Sequence, residues 1–327
     1  MKAMRVHEIS EDISILRMED IDLPPPAHGE LRVRMKACSI NFPDILMIQG
    51  KYQYKPDLPF SPGMEGAGVI DAIGSGVEGF SVGDKVVTGM RCGGMAEYAN
   101  VAAAATRHLP DGIDFITAAA YPAAYLTAYV GLVIRAHLQP GETLLVHGAS
   151  GGVGLAAVDV GKLLGATVIA TSASDEKLAI VKSRGADHVI NVNQGFREKV
   201  KELTHGEGAN VIFDPVGGHV FDESARCIAF DGRLLVVGFT SGRIPTISVN
   251  MPLIKGYSIL GLRAGEYGRK FPEAGRRNLE TIDAWVAEGK IHPYVCATFP
   301  LAQAVDAMRV LQERRAIGKV VVTMDGY

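Results

Sequence analysis

A glycine-rich turn between an apolar run and a helical pattern holds the residues best suited to chemistry. The run 143–146, Thr-Leu-Leu-Val, predicts a buried strand, and four glycines follow within residues 148–154. Apolar side chains then recur with helical spacing from Val153 to Leu164, Gly165 ends the pattern, and residues 167–170 predict the next strand. Glycine lets the backbone approach a pyrophosphate closely, and the helix N-terminus offers that anion N–H groups. This unit predicts dinucleotide binding; the alternative is a turn whose glycines serve packing alone.

The end of the second predicted strand indicates which nicotinamide cofactor would bind. NAD-preferring folds usually place an acidic residue there to bind the ribose hydroxyls. Residues 170–174 read Ala-Thr-Ser-Ala-Ser instead, and the cations Lys177 and Arg184 follow. Hydroxyls with a cation suit a 2′-phosphate, so the sequence predicts NADPH. Two alternatives remain: Ser174 and Lys177 serve only as a helix cap and a solvated side chain, or Asp175 competes for the ribose.

Composition argues against several classes of function. The chain has 327 residues, 47% of them hydrophobic and 21% charged, with a formal net charge of −3. This balance fits a globular protein and argues against a nucleic-acid partner. No apolar run is long enough to span a membrane, and residues 1–5 lack an apolar signal core, so we expect a cytoplasmic protein. The four cysteines are widely spaced without a C-x-x-C pair, which predicts reduced thiols.

Three segments of the chain differ in their patterns. Residues 1–122 show short strand-like pieces with turn glycines, typical of an antiparallel, barrel-like module. Residues 123–262 alternate strand and helix, which predicts a parallel doubly wound sheet. Residues 263–327 carry two helical patterns and a final strand and are expected to return to the first module. After the turn unit, the predicted elements are helix 174–184, strand 188–190, helix 195–203, strand 210–214, helix 220–228, strands 233–238 and 258–261, helices 271–288 and 301–312, and strand 319–322.

Several short segments share their order and spacing with one known family. They are Asn41-Phe42-Pro43-Asp44, Gly50-Lys51-Tyr52, Pro62-Gly63-Met64-Glu65-Gly66-Ala67-Gly68, Leu126-Thr127-Ala128-Tyr129, the glycine turn, and Gly318-Lys319-Val320-Val321. Over nearly its whole length the sequence resembles the medium-chain dehydrogenase/reductase superfamily, in its zinc-independent quinone oxidoreductase (zeta-crystallin-like) branch. The resemblance implies an α/β fold with a Rossmann-type doubly wound parallel-sheet domain that binds NADPH, over 123–262. It also implies a GroES-like β-barrel catalytic domain over 1–122, to which 263–327 return.

Three positions bear on a catalytic metal. By the resemblance, zinc-dependent relatives carry Cys, His and Cys where this sequence has Asn41, Met64 and Ala123. Glu65 alone cannot form a zinc site, which needs three protein ligands and an open position. We therefore expect no bound zinc, and without a Lewis acid alcohol oxidation loses its usual electrostatic support.

The resemblance implies a catalytic group of Asn41, Tyr52 and Arg263. Asn41 would hold cofactor or substrate through its amide near the nicotinamide, unless it only fixes its loop. Tyr52 would donate to a developing oxyanion or transfer a proton, unless it is an ordinary rim aromatic. Arg263 would bind an anionic substrate or a cofactor phosphate, unless it forms an interdomain ion pair. Many relatives have a second Tyr at the place of Leu46, so a two-tyrosine mechanism is in doubt here.

The cofactor contacts also follow from the resemblance. Val192 stands where the family often has a Tyr, so one contact is lost or altered. Lys319 would approach the cofactor, with an ordinary edge-strand lysine as the alternative. The predicted cofactor-binding residues are Thr127, Ser150, Gly151, Gly152, Val153, Ser172, Lys177, Phe239 and Lys319.

Together, these features predict an NADPH-dependent, zinc-independent quinone oxidoreductase. One alternative reduces the double bond of an enone or an enoyl-CoA (acryloyl-CoA type), with the cations Arg263, Lys270, Arg276 and Arg277 for the CoA phosphates. Another alternative binds NADPH with little turnover. The resemblance also implies a homodimer formed by edge pairing of the sheets around residues 258–262.

Overall fold

Two units, each with its own sheet, make up residues 1–324, the part of the chain that the computed structural model describes. The first unit comprises Met1–Ala123 and the chain from Pro293 onward. The second unit comprises Ala124–His292. The first boundary agrees with the sequence pattern to within a residue.

The second boundary comes later in the chain than predicted. The sequence analysis assigned everything from residue 263 to the first module, but the chain stays in the second unit up to His292. The helical segments in between carry apolar side chains that pack within the second unit. Trp285 contacts Tyr129 there, with 5.4 Å between the ring centroids.

Strands and helices follow one another along the chain as follows. The strands are β1 Lys2–Arg5, β2 Arg17–Asp20, β3 Glu30–Ser39, β4 Glu65–Ile73, β5 Lys85–Gly89, β6 Tyr98–Ala102, β7 Thr106–His108, β8 Thr143–Val146, β9 Thr167–Ser172, β10 His188–Asn191, β11 Ala209–Asp214, β12 Ile228–Val236, β13 Ser258–Gly261, β14 Val295–Pro300 and β15 Lys319–Thr323. The helices are α1 Phe42–Ile48, α2 Phe115–Ala120, α3 Pro122–Tyr129, α4 Gly152–Leu163, α5 Asp175–Ser183, α6 Arg197–Leu203, α7 Gly218–Cys227, α8 Asn250–Lys255, α9 Ala264–Lys270, α10 Pro272–Ala287 and α11 Ala304–Gln312. A π-helical segment lies at Val130–Arg135, and short 3-10 turns lie at Ile13–Ile15, Ala103–Ala105, Val192–Gln194 and Leu301–Gln303. None of the helices within residues 1–324 combines the length and the apolar character that crossing a bilayer requires.

The main sheet of the first unit is antiparallel except at one edge. Its strands are hydrogen-bonded in the order β14-β15-β3-β4-β5-β7, β6 also pairs with β3, and β14 runs parallel to β15. Alternate side chains of β3, Leu31, Val33 and Met35, are fully buried, because successive side chains of a strand point to opposite faces. β3 lies between β15 and β4, and the start of β15, the end of β3 and the start of β4 carry residues of the candidate site.

The sheet of the second unit is parallel throughout. Its strand order is β10-β9-β8-β11-β12-β13, so the order reverses at β8. Leu144, Leu145 and Val146 of β8 are fully buried, as expected for a strand covered on both faces. The predicted doubly wound parallel sheet is confirmed, and the reversal point is where such sheets bind ligands.

Apolar patterning located most elements of the second unit. β8 and β13 have the predicted bounds, and the other predicted elements differ by a few residues at their ends. The sequence analysis missed α3, the π-helical segment that follows it, α8 and α9. Two glycines within the seven residues of α9 lower its helix propensity, and α8 leaves Leu253 and Ile254 exposed, so neither shows the pattern of a helix with one buried face.

Candidate active site

Close backbone packing shapes the glycine turn after β8. A side chain at Gly154 would place its Cβ 2.3 Å from the carbonyl oxygen of Gly148 and 2.7 Å from Cα of Ala149. Gly148 itself has φ +55°, a left-handed conformation that favours glycine. The N–H of Ala149 donates to the carbonyl of Thr171 at 2.9 Å, which ties the turn to β9. The turn therefore lies at the carboxyl end of β8, where the strand order reverses.

The N-terminus of α4 is open to an anion. Its N-cap is Gly151, which has no side chain to accept the first N–H groups of the helix. The hydroxyl oxygens of Ser150 and Ser172 lie 3.2 Å apart and join the turn to the end of β9. Open helix N–H groups beside a backbone without side chains fit the pyrophosphate of a dinucleotide.

Asp214, which the sequence analysis did not single out, shapes the loop beside this turn. It is buried at the end of β11, and its Oδ1 accepts the N–H groups of Val216 at 2.8 Å and Gly217 at 2.9 Å. Burial raises the pKa of this carboxyl to about 6. Gly217 lies against the ring of Phe239, since a Cβ there would lie 2.9 Å from Cδ1 of that ring. An acid at a strand end followed by Pro-Val-Gly-Gly was the available signal.

His147 packs in the core directly after β8. Its Nδ1 lies 2.9 Å from Oγ1 of Thr171, and its Nε2 lies 2.8 Å from Oγ of Ser224. Ser224 donates its own hydrogen to the carbonyl of Val220 at 2.7 Å, so it accepts from Nε2, and Nδ1 accepts from Thr171. Burial lowers the pKa of His147 to about 3, which keeps the imidazole neutral.

Of the polar residues after β9, Ser174 caps a helix and Asp175 binds a side chain of the next strand. Ser174 caps α5, its Oγ accepting the N–H of Lys177 at 3.4 Å, and the side chain of Lys177 is half-buried. Asp175 accepts the side-chain amide of Asn191 at 2.8 Å. Asp175, the residue that could compete for the ribose and so count against NADPH, is therefore hydrogen-bonded to the side-chain amide at the end of β10.

Arg184 requires a correction. The sequence analysis counted it among the cations near the ribose, but it follows the last turn of α5, at the opposite end from β9. Its guanidinium pairs with Asp159 at 2.6 Å and donates to the carbonyl of His292. Tyr125 donates to the same carboxylate at 2.5 Å. Arg184 therefore ties helices together and leaves Lys177 as the cation near the end of β9.

In the first unit, Asn41 is held at the start of α1. Its N–H donates to Oδ2 of Asp44 at 2.8 Å, and the N–H of Gly63 donates to Oδ1 at 2.9 Å. Asp44 is fully buried, and burial raises its pKa to about 7. One carboxyl thus fixes the backbone of two of the segments on which the family resemblance rests.

A buried network surrounds Glu65, which is 2% exposed. Its Oε1 accepts from Oγ of Ser39 at 2.7 Å, from Nδ2 of Asn41 at 2.8 Å and from Nζ of Lys319 at 3.1 Å. Its Oε2 accepts the N–H of Ala123 at 2.7 Å. Lys319 also donates to Oδ1 of Asn41 at 2.6 Å. These two bonds use two of the three N–H groups of Lys319. At most one N–H group is left for the predicted contact with the cofactor.

Aromatic side chains follow α1. The N–H of Tyr52 donates to the carbonyl of Leu46 at 3.2 Å, so the end of the helix fixes the backbone of Tyr52. The rings of Tyr52 and Tyr54 pack, partly buried, against the core of the first unit. The guanidinium of Arg91 lies 4.8 Å from the ring centroid of Tyr54. Asn41 and Tyr52 therefore flank α1 within one unit.

Arg263 and Thr127 lie in the second unit. Arg263 is the N-cap residue of α9, and its exposed guanidinium lies 3.8 Å from Glu266. Thr127 lies within α3 and is half-buried. The structure thus brings Asn41 together with Lys319, and Ser150 with Ser172, whereas Arg263 stands at the start of a surface helix.

Comparison with known proteins agrees with this arrangement. A family model described as a zinc-binding dehydrogenase matches residues 152–280, and one described as an alcohol dehydrogenase GroES-like domain matches residues 27–111. The quinone oxidoreductase-like protein 2 homolog of Nematostella vectensis is 43% identical, over 90% of this chain and 81% of that protein. The chain belongs to the medium-chain dehydrogenase/reductase superfamily. Within the superfamily, it falls in the quinone oxidoreductase branch.

Solved structures of the superfamily share the whole fold. The Escherichia coli quinone oxidoreductase complexed with NADPH has a TM-score of 0.91 and 29% identity, covering 99% of this chain and 100% of that chain. The JamJ enoyl reductase has a TM-score of 0.89 and 28% identity, covering 99% of both chains. The predicted combination of a GroES-like domain with a Rossmann-type parallel-sheet domain is confirmed.

Membership of the superfamily does not by itself supply zinc ligands. Asn41, Met64 and Ala123 offer an amide, a thioether and a methyl group at the places of the expected ligands. Within residues 1–324, no three His, Cys, Asp or Glu side chains are placed to hold a metal ion together. The donor set around Glu65 instead consists of an ammonium, an amide, a hydroxyl and a backbone N–H.

Proposed function

We propose that this chain is an NADPH-dependent, zinc-independent quinone oxidoreductase. The observation that carries the proposal is the network around Glu65, where an ammonium and an amide occupy the surroundings that a metal site would need. The open turn after β8 and the hydroxyls at the end of β9 support NADPH as the cofactor. The quinone follows from the relatives named quinone oxidoreductases.

The reaction would consume one NADPH and one proton for each quinone. Bound NADPH would supply a hydride, a proton would come from solvent or from a side chain, and the products would be a hydroquinone and NADP⁺. Negative charge develops on the carbonyl-derived oxygen as the hydride arrives. Asn41 and Tyr52 would stabilise that oxygen by donating hydrogen bonds, and Tyr52 is the side chain able to release a proton.

Reduction of an activated double bond is the second candidate, favoured by the similarity to an enoyl reductase. An enoyl-CoA substrate would place its phosphates on the candidate cations, three of which have acidic neighbours. Arg276 pairs with Glu280 at 2.9 Å, Arg277 with Glu273 at 3.9 Å, and Arg263 with Glu266 at 3.8 Å. Exposed pairs of this kind contribute little free energy, so a phosphate can displace them, and the assay compares an enone with a CoA ester.

A second copy of this chain is the proposed partner. β13 ends the parallel sheet, so one side of its backbone has no neighbouring strand within the described residues. Four apolar side chains near it, those of Phe230, Val249, Leu253 and Ile254, are 73% to 83% exposed. We call them the apolar patch. An open strand edge beside exposed apolar surface favours pairing between two copies.

Oxidation of NADPH by the purified protein tests the function. With EDTA present, an ortho-quinone, a simple enone and a short enoyl-CoA would be compared, with NADH run beside NADPH. Turnover of the quinone with NADPH is the expected result. A strong preference for the enoyl-CoA would move the assignment to a double-bond reductase. Binding of NADPH without turnover of any acceptor would favour a cofactor-binding role.

A further inference from the structure

A charged lysine lies where almost no water reaches it. Lys319 begins β15 and is 5% exposed, and its partner Glu65 is 2% exposed. A buried ion pair is weak evidence for stability, because the loss of hydration offsets the attraction between the charges. The position of this pair therefore calls for another explanation.

The bonds of Lys319 fix the side chain of Asn41. The ammonium donates to Oδ1 of Asn41 at 2.6 Å, while Nδ2 of Asn41 donates to Oε1 of Glu65 at 2.8 Å. A flipped amide would turn its NH₂ group toward the ammonium and its oxygen toward the carboxylate. Both contacts would then be repulsive, so one orientation is selected.

The backbone beneath the amide is held as well. Asp44 accepts the N–H of Asn41 at 2.8 Å, and the side chain of Glu65 is itself anchored by Ser39 and Ala123. The bond to Glu65 uses one of the two Nδ2 hydrogens. The other hydrogen is left as a donor in a fixed direction, and the cation on Oδ1 strengthens it through polarisation of the amide.

We propose that Lys319 is a positioning residue whose buried ammonium, held by Glu65, locks the Asn41 amide so that its second Nδ2 hydrogen serves the reacting oxygen. The inference rests on the proposed function only in naming the reacting oxygen of the substrate as the acceptor of the Asn41 hydrogen bond. It assigns Lys319 to the support of a catalytic side chain, whereas the sequence analysis placed it among the cofactor contacts.

A double-mutant cycle between Lys319 and Asn41 tests the inference. Lys319→Met removes the donor to Oδ1, and kcat is expected to fall by about 10²-fold, the scale of a misplaced catalytic group. The Kd for NADPH, measured by fluorescence titration, should stay within about 2-fold of wild type, the scatter of independent effects. In an Asn41→Ala background the same substitution should leave kcat almost unchanged, because nothing remains to be positioned.

Two further variants address folding. Lys319→Met leaves Glu65 as an unpaired buried charge, so Glu65→Gln/Lys319→Met is made in parallel to remove both charges, and the same loss of kcat is expected. Lys162→Met is the matched control, since Lys162 pairs with Asp187 at 2.7 Å in the second unit, and its kcat should equal that of wild type.

The outcomes separate this inference from the proposed function. If Lys319→Met keeps its kcat, if its loss is equally large without Asn41, or if NADPH binding weakens in parallel with kcat, Lys319 has no positioning role. If the wild type turns over no acceptor, the proposed function fails, and the NMR signal of the Asn41 side-chain amide decides the inference. A sharp signal that broadens or shifts toward a free amide in the charge-free double variant supports it; an unchanged signal overturns it.

Discussion

Burial gives Asp44, Asp214 and His147 unusual protonation behaviour. It raises the pKa of Asp44 to about 7 and of Asp214 to about 6, and it lowers the pKa of His147 to about 3. In each case the charged form is disfavoured because the side chain has left water. The two carboxyls still organise loops through backbone N–H donors, so their shifts reflect structural roles beside the site.

His147→Asn should change the pH dependence of stability. The folded state resists protonation of His147 down to about pH 3, whereas the unfolded chain takes up the proton near pH 6.5. The unfolded state therefore binds more protons below pH 6.5, and the contribution of His147 to stability is lost as the pH falls. From pH 7 to pH 5, the free energy of unfolding of wild type should drop by about 2 kcal/mol relative to the variant.

Urea unfolding at several pH values measures this difference. Asp44 and Asp214 titrate in both proteins, so their effects cancel in the comparison. Parallel pH curves for wild type and variant would contradict the assignment of a neutral, buried His147.

Gly154→Ala should destabilise the second unit. The new Cβ would lie 2.3 Å from the carbonyl oxygen of Gly148, and backbone cannot move aside as a flexible side chain can. Overpacking of this kind costs about 1–3 kcal/mol, and thermal unfolding measures the loss. Gly151→Ala is the matched control, because its Cβ would lie at an ordinary 3.4 Å from the same oxygen. Equal melting temperatures for the two variants would count against the close packing.

At the scale of elements, loops at the carboxyl ends of strands would bind the cofactor in the proposed site. The turn after β8 depends on missing side chains, and the loop after β11 depends on one carboxyl. Asp214 accepts two backbone N–H groups there and directs Gly217 toward Phe239. The first loop is thus fixed by close backbone packing, and the second by the side-chain carboxyl of Asp214.

Asp214→Ala should therefore weaken NADPH binding and stability together. The buried N–H of Gly217 and the partly buried N–H of Val216 would lose their acceptor, at a cost of about 1–3 kcal/mol for the buried group. Asp214→Asn keeps an oxygen at the same place and should retain most of both properties. Fluorescence titration with NADPH and thermal unfolding distinguish the pair. Equal losses in both variants would mean that the charge of Asp214, rather than its acceptor oxygen, is needed.

At the scale of the whole molecule, the exposed surface points to association with a second copy. The apolar patch lies on β12, which pairs with β13, and on α8 with its N-cap, which precedes β13 in the chain. Phe230 lies against Gly256 at the end of α8. Isolated exposed apolar residues need no explanation, but three of these four lie on α8 and its N-cap, and the fourth lies against the end of the same helix. The homodimer proposal rests on this combination.

Leu253→Glu should convert the dimer to monomers. A carboxylate placed in an apolar interface loses its hydration without gaining a partner, which opposes association. Sedimentation velocity measures the mass. Val82→Glu is the control, because Val82 is also exposed but lies in the first unit, where it should leave the dimer intact. A wild-type protein with the mass of a single chain would rule out the dimer.

Local patterns in the sequence determined the type of fold and the kind of cofactor site. The run of β8, the glycines after it and the helical spacing of α4 depend on residues close together in the chain, so each could be read directly. The residue types at Asn41, Met64 and Ala123, on which the zinc-independent proposal depends, are likewise given directly by the sequence. The late return of the chain to the first unit could not be read from the sequence. The apolar pattern of a helix such as α10 is the same whichever unit the helix packs against.

Tertiary structure alone decided which side chains share a bond. Lys319 lies 278 residues from Asn41 in the chain, and they meet because β15 pairs with the end of β3, which Asn41 follows by two residues. Arg184 was assigned to the ribose on sequence proximity, but its carboxylate partner, Asp159, comes from another helix. Hydrogen bonds and ion pairs act over a few ångströms in space. Two residues within that distance can be far apart in the chain, so sequence spacing does not predict which of them meet. The sequence therefore determined the elements and the chemistry available, and the folded chain determined which groups act together.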